Sequence, residues 1–255
     1  MIKPVLIALS AVLMLPNFFD IDIIETLEYD HKEQFDPSLS YLNSVDKLEN
    51  YIDSNETAKG LKPGSVDYVV TIANVIKYRF YHGFSHLTLK ENWIAALSEK
   101  VAGFGLACKV NTNDIMKHEN AACSQQAMVM MDILKRKKIS YRSVGFPHHF
   151  ALEVLISDKW YYFDPNMEPN ISNEDRLEEN WKCCADNLKK YYDTSRFNDL
   201  DWKFGINTKV KQGTVNQRFA QNVKIFQSST AFISKILWCF PMLLLFYRWN
   251  KSNRD

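Results

Sequence analysis

The stretch that most constrains this chain is residues 121–137, where apolar side chains occupy more than one face of a helical pattern. Ala122, Ala127, Met130, Met131, Ile133 and Leu134 surround the axis instead of lining one stripe. A helix apolar nearly all round has to be buried by its neighbours. The basic run KRKK at 135–138 complements a helix C-terminus and marks the exit into solvent. The texture then changes. Residues 141–146, 149–156 and 160–163 are β-branched and aromatic runs split by turns, and Ser157-Asp158-Lys159 reads as a tight hairpin. A buried helix feeding an antiparallel sheet is an α+β layout.

Helical signals precede it. Residues 44–51 suit a short polar helix, and Lys62-Pro63-Gly64-Ser65 a loop ending in an N-cap. Residues 66–81 place Val69, Ile72, Val75, Ile76 and Phe80 at helical spacing. Residues 89–101 repeat the theme through Trp93, Ile94, Leu97 and Val101, stopped at Gly103. Beyond Pro165 the pattern predicts a polar helix over 173–192 and only loop over 198–212.

Both ends are apolar. Lys3 precedes PVLIALSAVLMLPNFF, residues 4–19, and no small-x-small cleavage signal follows. Residues 1–24 therefore read as a signal anchor, with a cleaved signal peptide as the alternative. The run AFISKILWCFPMLLLFYRW, residues 231–249, has about the length of a transmembrane helix. Lys235 lies near one end, and Tyr247 and Trp249 at the other, as interfacial residues do. The expected organisation is an anchor at 1–24, a domain at 25–225, a transmembrane helix at 229–249 and a short basic tail at 250–255. Lys3 before the first span and Arg248, Lys251 and Arg254 around the end of the second put both termini in the cytoplasm by the positive-inside rule. The domain between them would then lie outside, as in a bacterial inner-membrane protein facing the periplasm.

A net charge of +1 and the lack of a basic stripe interleaved with aromatics give no reason to expect nucleic acid. Cys108, Cys123, Cys183, Cys184 and Cys239 form no CxxC pair and no zinc spacing, and the neighbours Cys183 and Cys184 suit a helix better than a mutual bridge. His82, His86 and His118 are too scattered to read as ligands, so neither metal nor cofactor is expected.

Cys123 stands in the first turn of the buried helix, after Asn120 as a candidate cap. The positive end of the helix dipole favours a thiolate there, and first-turn N–H groups lack helical partners. Position alone fits a small buried cysteine better than a reactive one. His148 and His149 open a strand 25 and 26 residues downstream, and alternation lets at most one of them face the thiol. Asp164 ends the next strand, directly before Pro165. A hairpin turning at 157–159 brings the start of one strand beside the end of the other, so a carboxylate would orient an imidazole.

Residues 121–165 resemble the core of the transglutaminase-like superfamily, a branch of the papain-like cysteine enzymes. The resemblance rests on AACSQQAMVMMDIL around Cys123, the following KRKKISYRSVGF, His149-Phe150-Ala151-Leu152-Glu153-Val154, and Trp160-Tyr161-Tyr162-Phe163-Asp164-Pro165. Its register selects His149 over His148. Two departures bear on substrate shape: Ala121 stands where a glycine is common, and Ala151 where an aromatic often sits. The resemblance implies a helical lead-in and a central cysteine-bearing helix packed on an antiparallel sheet, an α+β fold that the apolar terminal runs would flank with hydrophobic helices. It also implies a catalytic triad: Cys123 as nucleophile, His149 as base and acid, and Asp164 as the orienting carboxylate. The second oxyanion donor is open among Trp93, Asn120 and Gln125. The expected function is cleavage or transfer of an acyl group at an amide bond of a peptide-like substrate, beside a lipid bilayer. The alternative is a non-catalytic scaffold of the same fold in an envelope or polysaccharide assembly.

Overall fold

The order of helical and strand-forming runs reappears in the computed structural model, which describes residues 2–25, 27–30, 33–183, 186–197, 199–206 and 208–252. Along the chain the helices are α1 (Ile2–Met14), α2 (Val45–Ala58), α3 (Val66–Arg79), α4 (Leu89–Ala102), α5 (Thr112–Ile115) and α6 (Cys123–Arg136). Strands β1 (Tyr141–Gly145), β2 (Phe150–Ile156) and β3 (Lys159–Phe163) follow, then α7 (Glu178–Trp181), α8 (Asp186–Lys189), α9 (Leu200–Phe204), β4 (Lys211–Gln212), α10 (Gln221–Ile236) and α11 (Cys239–Ser252). Contacts divide the chain into two compact units: 26–85 with 109–219, and 1–25 with 86–108 and 220–255.

The larger unit is α+β. Its antiparallel sheet has the order β3-β2-β1-β4, with Leu152 opposite Phe163 and Val144 opposite both Ala151 and Gln212. The β2–β3 turn is made by Ser157 and Asp158, both at positive φ, the backbone a two-residue hairpin demands. Alternation along β2 sends Leu152, Val154 and Ile156 to one face, where they pack with Ala127, Met130, Met131 and Leu134 of α6 and Ile72 and Ile76 of α3. α6 is thus enclosed by helices and sheet, as an all-round apolar helix requires. Ser65 caps α3, its side chain accepting from the Tyr68 N–H.

The opposite sheet face is covered by the segment after Pro165, and here two expectations are corrected. Residues 173–192 are not one helix: α7 and α8 are separate single turns, Lys182 and Cys183 after α7 are turn residues with Cys183 exposed, and Cys184 and Ala185 lie outside the described residues. Residues 198–212 are not all loop: they include α9 and β4, although Asn198 and Asn207 lie outside the described residues. The cause is the same in both. Trp181, Leu188, Tyr192, Leu200 and Phe204 keep a helical spacing although the chain winds only in short turns, and all are buried in one cluster with Val144, Ala151 and Tyr162. Sheet burial organises this segment, not local propensity. Gly205 closes α9 at φ +77, where a Cβ would collide with Thr208 and Pro147.

The smaller unit is helical. α4 opens with a capping box between Thr88 and Glu91. It departs from helical geometry at Asn92, whose amide donates to the Gln227 carbonyl at 3.0 Å and to Thr230 Oγ1 at 2.9 Å on α10. α1 lies along α11: Ser10 donates to the Trp238 carbonyl at 2.8 Å, and Lys3 Nζ stands 4.7 Å over the Trp249 ring. The second expected span is not straight. α10 and α11 are bent by 43° at the break between them. Among the described residues no single helix is long and apolar enough to cross a membrane, although the bent pair meets length and composition together. Of the basic tail, Arg254 and Asp255 lie outside the described residues.

Candidate active site

The end of the chain that leads into α6 is strapped before the helix begins. Tyr81 and Asn120 form a parallel bridge, the Ala121 N–H donating to the Tyr81 carbonyl at 3.0 Å. Gln125 reaches back from the first turn: its Nε2 donates to the carbonyls of Ser85 and Lys109, each at 2.9 Å, and its Oε1 accepts from the N–H groups of Ser85 and Ala122. The N-cap is therefore Ala122, not Asn120, whose amide instead donates to the Phe84 carbonyl at 2.8 Å. Alanine has no side-chain acceptor. The first-turn N–H groups of α6 are thus left without a side-chain cap, at the position Cys123 occupies.

Of the paired histidines, only His149 faces inward. It is buried, while His148 is exposed and stacks on Trp202 with ring centres 4.1 Å apart. His149 Nε2 lies 2.7 Å from Asp164 Oδ2. Its other nitrogen, Nδ1, has no nitrogen or oxygen partner among the described residues and is the one left for the Cys123 thiol, with which the ring interacts directly. The structure thus brings together all three residues singled out by sequence.

Electrostatics follow from that contact. Burial works against a charged thiol, but the hydrogen bond and charge of His149 and the Phe150 backbone N–H outweigh it, and the Cys123 pKa falls below the ordinary thiol value. Burial likewise opposes charge on His149, yet Asp164 and Cys123 together lift its pKa to about 10. Burial would raise the Asp164 carboxyl; His149, the Tyr192 hydroxyl and the Met167 N–H hold it low instead. The arrangement favours a thiolate beside an imidazolium. Cys108 is the contrast: burial and nearby acids push its pKa up to about 12.

Several residues here escaped the sequence reading. Tyr192 donates to Asp164 Oδ2 at 2.8 Å and lies 2.8 Å from the Tyr162 hydroxyl. The Asn166 and Met167 N–H groups donate to Asp164 Oδ1 at 3.0 and 3.1 Å. Beyond them opens a cavity of about 170 Å³, lined by Lys77, Phe80, His82, Asn166, Met167 and Lys203 among others. His82 is kept neutral at pH 7, its pKa pushed down to about 4 by burial and by the charges of Lys203 and His149. Its backbone N–H donates to Glu33. None of these carries a motif; only their place near Asp164 in space marks them.

The candidates for a second oxyanion donor are otherwise engaged. Asn120 and Gln125 hold backbone carbonyls as described. The Trp93 indole N–H donates to the Ser234 carbonyl at 3.1 Å in the smaller unit.

No family model matches the sequence, and no curated protein matches it. Among solved structures, one described as the crystal structure of a TGase is similar over 50% of this chain and 31% of that one, with 13% identity and a TM-score of 0.32. The chain thus spans about a third of that protein's length.

Proposed function

We propose that this chain is a transglutaminase-like cysteine enzyme that cleaves or transfers an acyl group at an amide bond. One observation carries the reading: buried His149 is held by Asp164 at 2.7 Å through one nitrogen and meets Cys123 through the other, at an uncapped helix N-terminus. The motif resemblance over residues 121–165 supports it independently.

In this reading the Cys123 thiolate attacks the amide carbonyl, forming a C–S bond and an oxyanion. The backbone N–H of Cys123, free of a helical partner, donates to that oxygen. The tetrahedral centre collapses as the C–N bond breaks, and the His149 imidazolium gives its proton to the departing amine. A thioester remains. Water or an amine then attacks it, losing a proton to His149, and the thiolate leaves. Asp164 keeps the imidazole oriented throughout. The substrate is a peptide or another amide.

The tether is the second part of the proposal. α1, α10 and α11 expose Val5, Val12, Phe232, Phe240, Leu243 and Phe246, an apolar surface suited to lipid. Lys3 meets Trp249 next to Arg248 and Lys251, so basic residues gather at one end of the paired helices. We place that end in the cytoplasm and the larger unit outside it.

Alkylation with iodoacetamide tests the chemistry. Cys123 should react well below pH 8, with exposed Cys183 as an internal reference, and His149→Ala should abolish the advantage. A Cys123 no more reactive than Cys183 at pH 6 would sink the enzyme reading.

A further inference from the structure

Four residues past Asp164 lies a second buried carboxylate. Glu168 Oε2 accepts the Asp164 backbone N–H at 2.8 Å, and its Oε1 pairs with Arg176 Nη2 at 2.6 Å. Arg176 is buried too. Its Nη1 donates to the Tyr162 carbonyl at 2.9 Å, its own carbonyl accepts the Tyr162 N–H at 2.9 Å, and its guanidinium stands 5.1 Å over the Phe163 ring. One ion pair therefore grips three successive residues, Tyr162, Phe163 and Asp164.

A buried ion pair is a poor source of stability, because desolvation offsets the attraction and apolar replacements are often neutral or better. Its placement supplies another reason for it. Beyond the pair itself, its side-chain contacts fall on the strand end that presents the Asp164 carboxylate. We propose that Glu168 is a positioning residue: through the Asp164 N–H and Arg176 it fixes the backbone from which Asp164 holds His149.

This rests on the Cys123–His149–Asp164 reading above. The charged and titratable groups around Glu168 are Arg176, Asp164, Tyr162 and Lys77, whose Nζ donates to the Glu168 carbonyl at 3.4 Å. Burial raises the Glu168 pKa to about 7 against the pull of Arg176 and the Asp164 N–H, and the Asp164 charge adds to the rise. Glu168 is then neutral below that pH, and its ion pair with Arg176 is lost.

The test is the pH profile of Cys123 alkylation in the full chain, normalised to a small free thiol. The wild type should show two steps: one where the thiolate forms, below the ordinary thiol value, and one near pH 7. Glu168→Gln, which still accepts from the Asp164 N–H but carries no charge, should lose the second step. Glu168→Asp restores the charge and should bring a step back. Superimposable wild-type and Glu168→Gln profiles overturn the inference and leave the Cys123 reading standing. A Cys123 reactivity indifferent to His149→Ala overturns both. If Glu168→Gln is unfolded by circular dichroism, Arg176→Lys decides. Looser pairing should move the neutral step to higher pH, and an unmoved step overturns the inference.

Discussion

Tyr192 donates its phenolic proton to Asp164 Oδ2, the same oxygen that holds His149 Nε2. With that proton committed, the Tyr162 hydroxyl must donate to Tyr192, so a chain of hydrogen bonds runs Tyr162, Tyr192, Asp164, His149. All four side chains are buried. Burial raises both tyrosine pKa values well above 10, so the protons stay in place across the working range.

Tyr192→Phe should therefore raise the Asp164 pKa and strand the Tyr162 hydroxyl. A buried polar group left unsatisfied costs about 1–3 kcal/mol, so the denaturation midpoint should drop accordingly. Cys123 alkylation should weaken in the same variant. Unchanged midpoint and alkylation together would remove Tyr192 from the site.

Stability should depend on pH through His149. Its folded pKa, about 10, lies above the ordinary value of 6.5, so its contribution is full below pH 6.5 and is lost as pH rises through 10. Urea midpoints should fall across that window. In Asp164→Asn, without the charge that lifts the imidazole, the fall should be shallower. Asp164 acts in the opposite sense: its depressed pKa contributes stability above pH 3.8 that acid removes. A wild-type midpoint flat from pH 6.5 to 10 would contradict the imidazolium assignment.

On the sheet, Glu153 is fully buried and pairs with Arg142 at 2.6 Å, while Arg142 lies 4.2 Å over the Trp160 ring. Arg142→Ala leaves that carboxylate with only Gln212, at 2.8 Å. The expected loss is about 3–5 kcal/mol by thermal or chemical melting. Replacing both partners with leucine should cost less than the single change, a comparison that separates the stranded charge from the lost pair.

At the β2–β3 turn, Ser157 and Asp158 hold positive φ without being glycine. Asn-Gly in their place relieves the left-handed strain and should raise stability by about 1 kcal/mol, with alkylation of Cys123 unchanged.

What the sequence disclosed was whatever has a short period. The sheet hairpin was legible because period-two runs flank a turn, and that hairpin alone brings His149 toward Asp164. Alternation showed only that one of His148 and His149 could face the thiol; the register of the family resemblance picked His149, and the exposed His148 stacks on Trp202. Tyr192 and Glu168 were not legible. Tyr192 lies 28 residues beyond Asp164 in a segment whose helical spacing suggested one polar helix, and its burial in a cluster with sheet and loop residues is a matter of tertiary packing. Glu168 looks like any polar residue after a strand until Arg176 folds back over it. Asn120 looked like the natural cap of α6, because a cap preference says nothing about the competing Phe84 carbonyl that claims its amide.

Ala122 has a consequence of its own. A serine or aspartate at a helix N-cap stabilises a protein by about 1 kcal/mol relative to alanine, so this helix stands below its attainable stability at the residue before Cys123. Ala122→Ser, small enough for this buried position, should raise the melting temperature while altering thiol chemistry, because its hydroxyl would accept from first-turn N–H groups beside Cys123. The first turn that would stabilise the fold through a cap is the turn that carries the nucleophile, and in this chain the cap residue leaves its N–H groups without a side-chain acceptor.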